Sequence, residues 1–226
     1  MATRHVLAEL LELAASAGLP VVEVESVGGV DAASRVAAGE QFDLVFLAEG
    51  ALGALAREGH VDAASLTPLV MSQVAVAVPS GAEELAVAAS GPAFDDADGV
   101  RAALRGATRI GYSTGPSGTA LVRMIEQWGM SEEVGDRLVQ ARAGVPVARM
   151  LAQGDVDLGF QQLSELVGEN GVRILGVMPP DCAIDTVFCG AVPTLAQDPQ
   201  RAREVLTFLA SDAMAEVKAR HSFRSA

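Results

Sequence analysis

Two long extended segments interrupt an otherwise regular alternation of short strands and helices, and they restrict the fold of this 226-residue chain more than any other feature. Pro68 to Pro79 (PLVMSQVAVAVP) is a mostly apolar run of about a dozen residues, long enough to cross from one lobe to another. Asp185 to Val192 (DTVFCGAV) is the natural return crossing. Strands and helices that alternate on either side of two such crossings predict an α/β fold of two lobes, joined by a two-strand hinge with a ligand cleft between them. The expected division is residues 1–75 plus 190–226 for the first lobe and 76–189 for the second.

Leu7, Leu10, Leu11 and Ala14 recur at helical spacing, so the chain opens with a helix that Gly18-Leu-Pro20 ends. Val21 to Glu25 reads as a short strand, Gly28-Gly29 as a turn, and Asp31 to Ala38 as a helix. Asp43 to Ala48 is an apolar run of the kind found in a parallel strand buried on both faces, and Ala51 to Arg57 is helical. Ser80 to Asp98 reads as surface turn and loop, and Gly99 to Leu104 as a short helix. Further on, Leu138–Ala141, Asp155–Phe160 and Val172–Val177 read as strands, Val147–Ala152 as a helix, and Gln161 to Val167 as the lead into another. The tail carries two helical patterns, Pro199 to Ala210 and Asp212 to Arg220.

The stretch Arg109 to Gly129 concentrates the chemistry. It reads as a buried strand, a small polar turn and an amphipathic helix whose apolar face is Leu121, Met124, Ile125 and Trp128. Tyr112, Ser113, Thr114 and Ser117 supply hydroxyls, while Gly115 and Gly118 let the backbone turn tightly and present amides at a helix start, where the dipole favours an anion. The bland alternative is ordinary helix capping by the same Ser and Thr residues. Gly111-Tyr-Ser-Thr-Gly115 also matches the spacing of a nucleophile elbow, but Pro116 delays the helix and the only later histidine is His221.

With 29 acidic against 16 basic residues the formal charge is −13, which disfavours nucleic acid and acidic membrane surfaces as partners. No apolar stretch is long enough to span a bilayer, and acidic residues among the first leucines break up any secretory signal. As written, the sequence predicts a cytoplasmic protein; a longer native N-terminus would predict a periplasmic one. Cys182 and Cys189 form no zinc or redox motif, and neither a P-loop lysine nor a dinucleotide fingerprint is present, so no metal or cofactor is expected.

Two stretches resemble a known family. Gly39-Glu-Gln-Phe-Asp-Leu-Val-Phe-Leu-Ala-Glu49 and Phe208-Leu-Ala-Ser-Asp-Ala-Met-Ala-Glu-Val-Lys-Ala-Arg-His-Ser-Phe223 are similar to characteristic segments of the type II periplasmic binding proteins, the molybdate-binding and related proteins of ABC transporters. The resemblance runs over nearly the whole chain and implies a small anionic ligand, an oxyanion or a carboxylate, with an ABC transporter permease as partner. It implies ligand-binding positions at Thr3, Gly28, Gly29, Ala48, Ser117, Val145 and Gln162, to which the polar turn read from its own residues adds Tyr112, Ser113, Thr114 and Gly118. Glycines replace the family's serine pair at Gly28-Gly29, and Gln162 stands at or beside its tyrosine. The family's first strand is missing, so Met1-Ala-Thr3 falls where its first ligand loop belongs.

Tyr112-Ser-Thr-Gly-Pro-Ser-Gly118 together with Gly159-Phe-Gln-Gln-Leu-Ser-Glu165 is similar to an enzymatic branch of the same fold, the aconitate isomerases, which move a double bond in a tricarboxylate. That alternative needs a base beside an acidic C–H and donors for the developing enolate-like charge. The residue that would act as base is not identified by the sequence. His5, His60 and His221 read as surface groups, Glu49 as a rim or capping residue, and Arg142, directly after a strand, as the best-placed of Arg109, Arg142 and Arg149 to meet a carboxylate. Because neighbouring strand residues face opposite ways, one of Gln161 and Gln162 is expected to face the ligand, and the resemblance favours Gln162.

Overall fold

In the computed structural model, which describes residues 2–81, 91–142 and 144–226, helices and strands follow in the order α1 (Arg4–Ser16), α2 (Gly29–Ala37), β1 (Val45–Ala48), α3 (Glu49–Arg57), β2 (Thr67–Pro79), α4 (Ala97–Gly106), β3 (Ile110–Tyr112), α5 (Pro116–Gln127), α6 (Ser131–Val134), β4 (Leu138–Gln140), α7 (Val147–Ala152), β5 (Leu158–Gln162), β6 (Val172–Val177), β7 (Asp185–Ala191), α8 (Pro199–Ala210), α9 (Ala215–Arg220) and β8 (Arg224–Ser225). The chain divides into two units, residues 1–72 with 186–226 and residues 73–185. It passes from one to the other inside β2, after Ser72, and at the start of β7, after Asp185. Both crossings lie a few residues ahead of the expected boundaries. A strand that runs unbroken through a boundary carries no local mark of it.

In the first unit, β1 runs antiparallel to β7, with Val45 opposite Ala191 and Ala48 opposite Phe188. The expected parallel strand at 43–48 is therefore antiparallel, because β7, the returning crossing, is the strand that covers its edge. Val21–Glu25 is not a strand. Residues 21–28 have no regular structure, and Val21 and Val24 are exposed, so apolar content without a backbone partner does not produce a ladder. Leu7, Leu10, Leu11 and Ala14 of α1 bury against Val205 and Leu209 of α8 and Val217 of α9, as the helical spacing predicted.

The second unit orders its strands β6-β2-β5-β3-β4. β3 is parallel to both β4 and β5, whereas β5 and β6 run antiparallel to β2. On one face Val76, Ile110, Leu158 and Phe160 pack against Leu121 and Ile125 of α5. On the other, Ala75 and Ala77 pack against Val147 and Leu151 of α7. α5 is helical because its apolar residues recur every three to four positions and Pro116 stands in its first turn, where the missing N–H costs nothing. Of the expected loop at 80–98, residues 82–90 lie outside the described residues, and α4 begins at Ala97.

Candidate functional site

Ligands of α/β sheets gather at the carboxyl ends of parallel strands. In the second unit Tyr112 stands opposite both Gln140 of β4 and Phe160 of β5. Ser113-Thr114 after β3, Ala141-Arg142 after β4 and Gln161-Gln162, the last two residues of β5, therefore lie at one end of the sheet. The faces are fixed by register. Tyr112 and Phe160 lie in the cluster with α5, and Gln162, two residues beyond Phe160, shares that side. Gly111 and Gly159 face α7; an added Cβ at either would meet Val147 at 3.0 or 2.8 Å. Gln161 shares that second face.

The turn into α5 is built tightly. A Cβ at Gly118 would lie 1.8 Å from the Ser113 carbonyl oxygen, so only glycine permits this approach. It brings the Ser113 and Ser117 hydroxyls to 2.9 Å of each other, Ser117 being 5 % exposed. α5 has Gly115 as its N-cap and no side-chain cap bond, so the turn hydroxyls bond each other rather than the helix start. Thr119 N–H already donates to Gly115 O at 3.2 Å, which leaves the Ser117 and Gly118 amides as the ones that helix geometry leaves over.

That feature recurs in a pattern. Among the described residues, six helices have nine or more residues, and α4 and α8 are each capped by an aspartate, Asp96 accepting from Gly99 N–H and Asp198 from Arg201 N–H. The other four, α1, α2, α3 and α5, have Thr3, Gly28, Ala48 and Gly115 at their N-caps and no side-chain cap bond. Each of those four starts coincides with part of the ligand set that the family resemblance implied. In the first unit α2 packs on β1 and α3, which makes the Gly28-Gly29 and Ala48 starts neighbours.

Other expected residues fall as follows. Thr114 is exposed, and Tyr112 is half-buried against the α5 cluster. Val145 N–H donates to Arg142 O at 2.9 Å in the turn around Gly144 (φ 78°), so this amide has no proton to spare for a ligand. Gln161 and Gln162 are both buried, at 3 % and 4 % exposure, so neither is a solvated group. Gln161 does cap: its Oε1 accepts Ala148 N–H at 3.1 Å near the start of α7, and its Nε2 donates to Glu165 Oε2 at 3.0 Å. Glu165 is not marked by the sequence: Gln161 and Glu165 stand four positions apart in a stretch whose pattern predicts the lead into a helix, where the structure has a short turn after β5.

Arg109, Arg142 and Arg149 are exposed, as is Glu49 in the first turn of α3. His221 bonds Glu9 at 2.7 Å, and with the Ser113 hydroxyl committed to Ser117 the nucleophile-elbow reading lacks its base. Burial is the main cause that pushes the Cys182 and Cys189 thiols up to about 11, so both stay protonated near neutrality, as structural cysteines do. A cavity of about 460 Å³ lies further along α5, lined by Arg123, Met124, Trp128, Asp181 and Cys182, and shares no residue with the Ser113 turn.

The profile of the bacterial extracellular solute-binding proteins matches residues 1–224. An aconitate isomerase from a Pseudomonas species is 32 % identical over 216 residues, 93 % of this chain and 79 % of that protein. Among solved structures, the periplasmic molybdate-binding protein of Azotobacter vinelandii superposes with a TM-score of 0.73 at 17 % identity, over 98 % of this chain and 94 % of that one. PEB3 bound to L-phospholactate superposes with a TM-score of 0.70 at 14 % identity, over 99 % and 96 %.

Proposed function

Because the chain belongs to the bacterial extracellular solute-binding protein family, we propose that it binds a small anion, an oxyanion or a carboxylate, through amides and hydroxyls at the start of α5. One observation carries this reading: the helices that begin where the family places its ligand are the long ones without a side-chain cap, while α4 and α8 are capped by aspartates. An uncapped helix start offers unsatisfied N–H donors and a favourable dipole to whatever anion arrives. The Ser113–Ser117 pair adds one hydroxyl donor beside them, the O–H that their mutual bond does not use. A transport role would pair the protein with an ABC transporter permease outside the cytoplasm.

The test is a thermal-shift panel of molybdate, sulfate, phosphate, citrate, cis-aconitate, trans-aconitate and tricarballylate, followed by calorimetry on any that raise the melting temperature. Gly115→Asp supplies the control. Its extended backbone (φ −83°, ψ −171°) suits an aspartate cap, so the variant should melt within a few degrees of the wild type while its carboxylate competes with the ligand and weakens binding at least tenfold. Silence across the panel, or full affinity in Gly115→Asp, would sink the proposal.

A second reading is favoured by the relative that is 32 % identical over 93 % of the chain: an isomerase that shifts a double bond in a tricarboxylate. It uses the same α5 donors for the carboxylates. It predicts turnover as well as binding, and lets the protein act in the cytoplasm without a permease.

A further inference from the structure

We propose that Glu165 is the acid–base group of the second unit, transferring a proton on a bound tricarboxylate, with Gln161 as the residue that positions it; this rests on the isomerase reading. Three observations converge. Glu165 lies in the turn that directly follows β5, at the end of the sheet where the Ser113 turn also emerges. It is half-buried and its hydrogen-bond partner is a neutral amide; it belongs to none of the ion pairs among the described residues, whereas Glu9, Glu25, Glu40, Glu133 and Asp62 all face arginines. A carboxylate that no cation holds in an ion pair is open to meet a substrate C–H.

The third observation is the orientation of Gln161. Ala148 N–H can only donate, so the atom that meets it at 3.1 Å must be the side-chain oxygen. The amide is thereby fixed with its nitrogen towards Glu165, and one N–H holds Glu165 Oε2 at 3.0 Å. Gln161 itself is 3 % exposed and pinned in the β5 ladder opposite Ala75. The pair thus presents a carboxylate with one oxygen anchored and the other, Oε1, without a hydrogen bond among the described residues.

The chemistry balances without a further reactant. Oε1 takes a proton from the methylene carbon beside a substrate carboxylate, and the C–H electron pair spreads over the three-carbon unit as an allylic anion conjugated with the carboxylates. The same oxygen then returns the proton to the far carbon of that unit, which moves the double bond and regenerates the carboxylate. Donors at the start of α5 would stabilise the charge while it exists. A base held in place in this way is typically worth about 10² to 10⁴ in rate.

The experiment follows cis-aconitate in D2O by NMR, which reads both methylene exchange and appearance of the trans isomer, with thermal shift by tricarballylate as the binding readout. Glu165→Gln is nearly isosteric and keeps an oxygen for Gln161. It should retain the thermal shift while slowing exchange and isomerisation ~100-fold or more. Glu165→Asp, which keeps the charge with a shorter reach, should fall between the two and guards against a folding defect in the first variant. Turnover within about tenfold of wild type in Glu165→Gln would overturn the assignment and leave the isomerase reading intact. A wild-type protein that binds the tricarboxylate yet neither exchanges nor isomerises it would overturn both, leaving only the binding function.

Discussion

At the scale of single residues, Gly118 decides the geometry of the α5 turn. Its Cα sits against the Ser113 carbonyl so closely that a methyl group would need that backbone to move, since 1.8 Å lies far inside van der Waals contact. Gly115, three positions earlier, has room: a Cβ there would be 3.9 Å from the nearest atom, Ser113 Oγ. Gly118→Ala should therefore lower stability by roughly 1–3 kcal/mol, the usual cost of overpacking a close contact, and separate the Ser113 and Ser117 hydroxyls. Gly115→Ala should cost less than half as much. Thermal melts of both variants, with the anion panel repeated on each, check this; equal losses would mean that the close approach at Gly118 does not set the turn.

At the scale of elements, Asp157 shows how the second unit aligns its parallel strands. It stands just before β5 and reaches across to the entry of β3, where it accepts from Thr108 N–H at 2.8 Å, Thr108 Oγ1 at 2.6 Å and Arg109 N–H at 2.8 Å. Burial pushes this carboxyl up, but the hydrogen bonds from Thr108 and Arg109 outweigh it and hold the group below its ordinary value of 3.8. A depressed folded-state value means that the stabilisation is fully present above the unfolded value and fades as pH falls through the folded one. Asp157→Asn should lose roughly 1–2 kcal/mol at pH 7, a modest sum for charge-assisted bonds on a partly solvated group. The gap between variant and wild type should shrink as pH falls below 3.8. Urea melts at pH 7 and pH 3 measure it, and a pH-independent gap would assign the loss to packing. The same region shows what was legible in the sequence. α7 and α8 begin just after or at a proline, and the pattern gives both to the residue; β2 is legible from its long, mostly apolar run. The pattern puts the strand body at Asp155–Phe160 with Gln161 and Gln162 at its end; what holds those two in β5 is β2, which supplies Ala75 and Val74 opposite, a pairing over long sequence distance that no local pattern announces. For the same reason the turn hydroxyls and glycines of the site could be read in place, whereas the bridge from Ala148 through Gln161 to Glu165 needed the fold.

At the scale of the whole molecule, a chain with net charge −13 is proposed to take up an anion, and the two facts bear on one measurable quantity. The donors at the α5 start are neutral amides and hydroxyls, so the local attraction contains no ion pair for salt to weaken. The long-range field of 29 acidic against 16 basic residues repels the approaching ligand, and that term is screened as the Debye length falls from about 30 Å at 0.01 M to about 8 Å at 0.15 M ionic strength. The association rate of a multivalent anion should therefore rise several-fold over that range, the reverse of what a cationic site would show. Stopped-flow association at four or so sodium chloride concentrations decides the matter. A rate that falls with salt would mean that a cation steers the ligand, and Arg142, exposed in the loop after β4 at the same end of the sheet, is the residue such a result would single out.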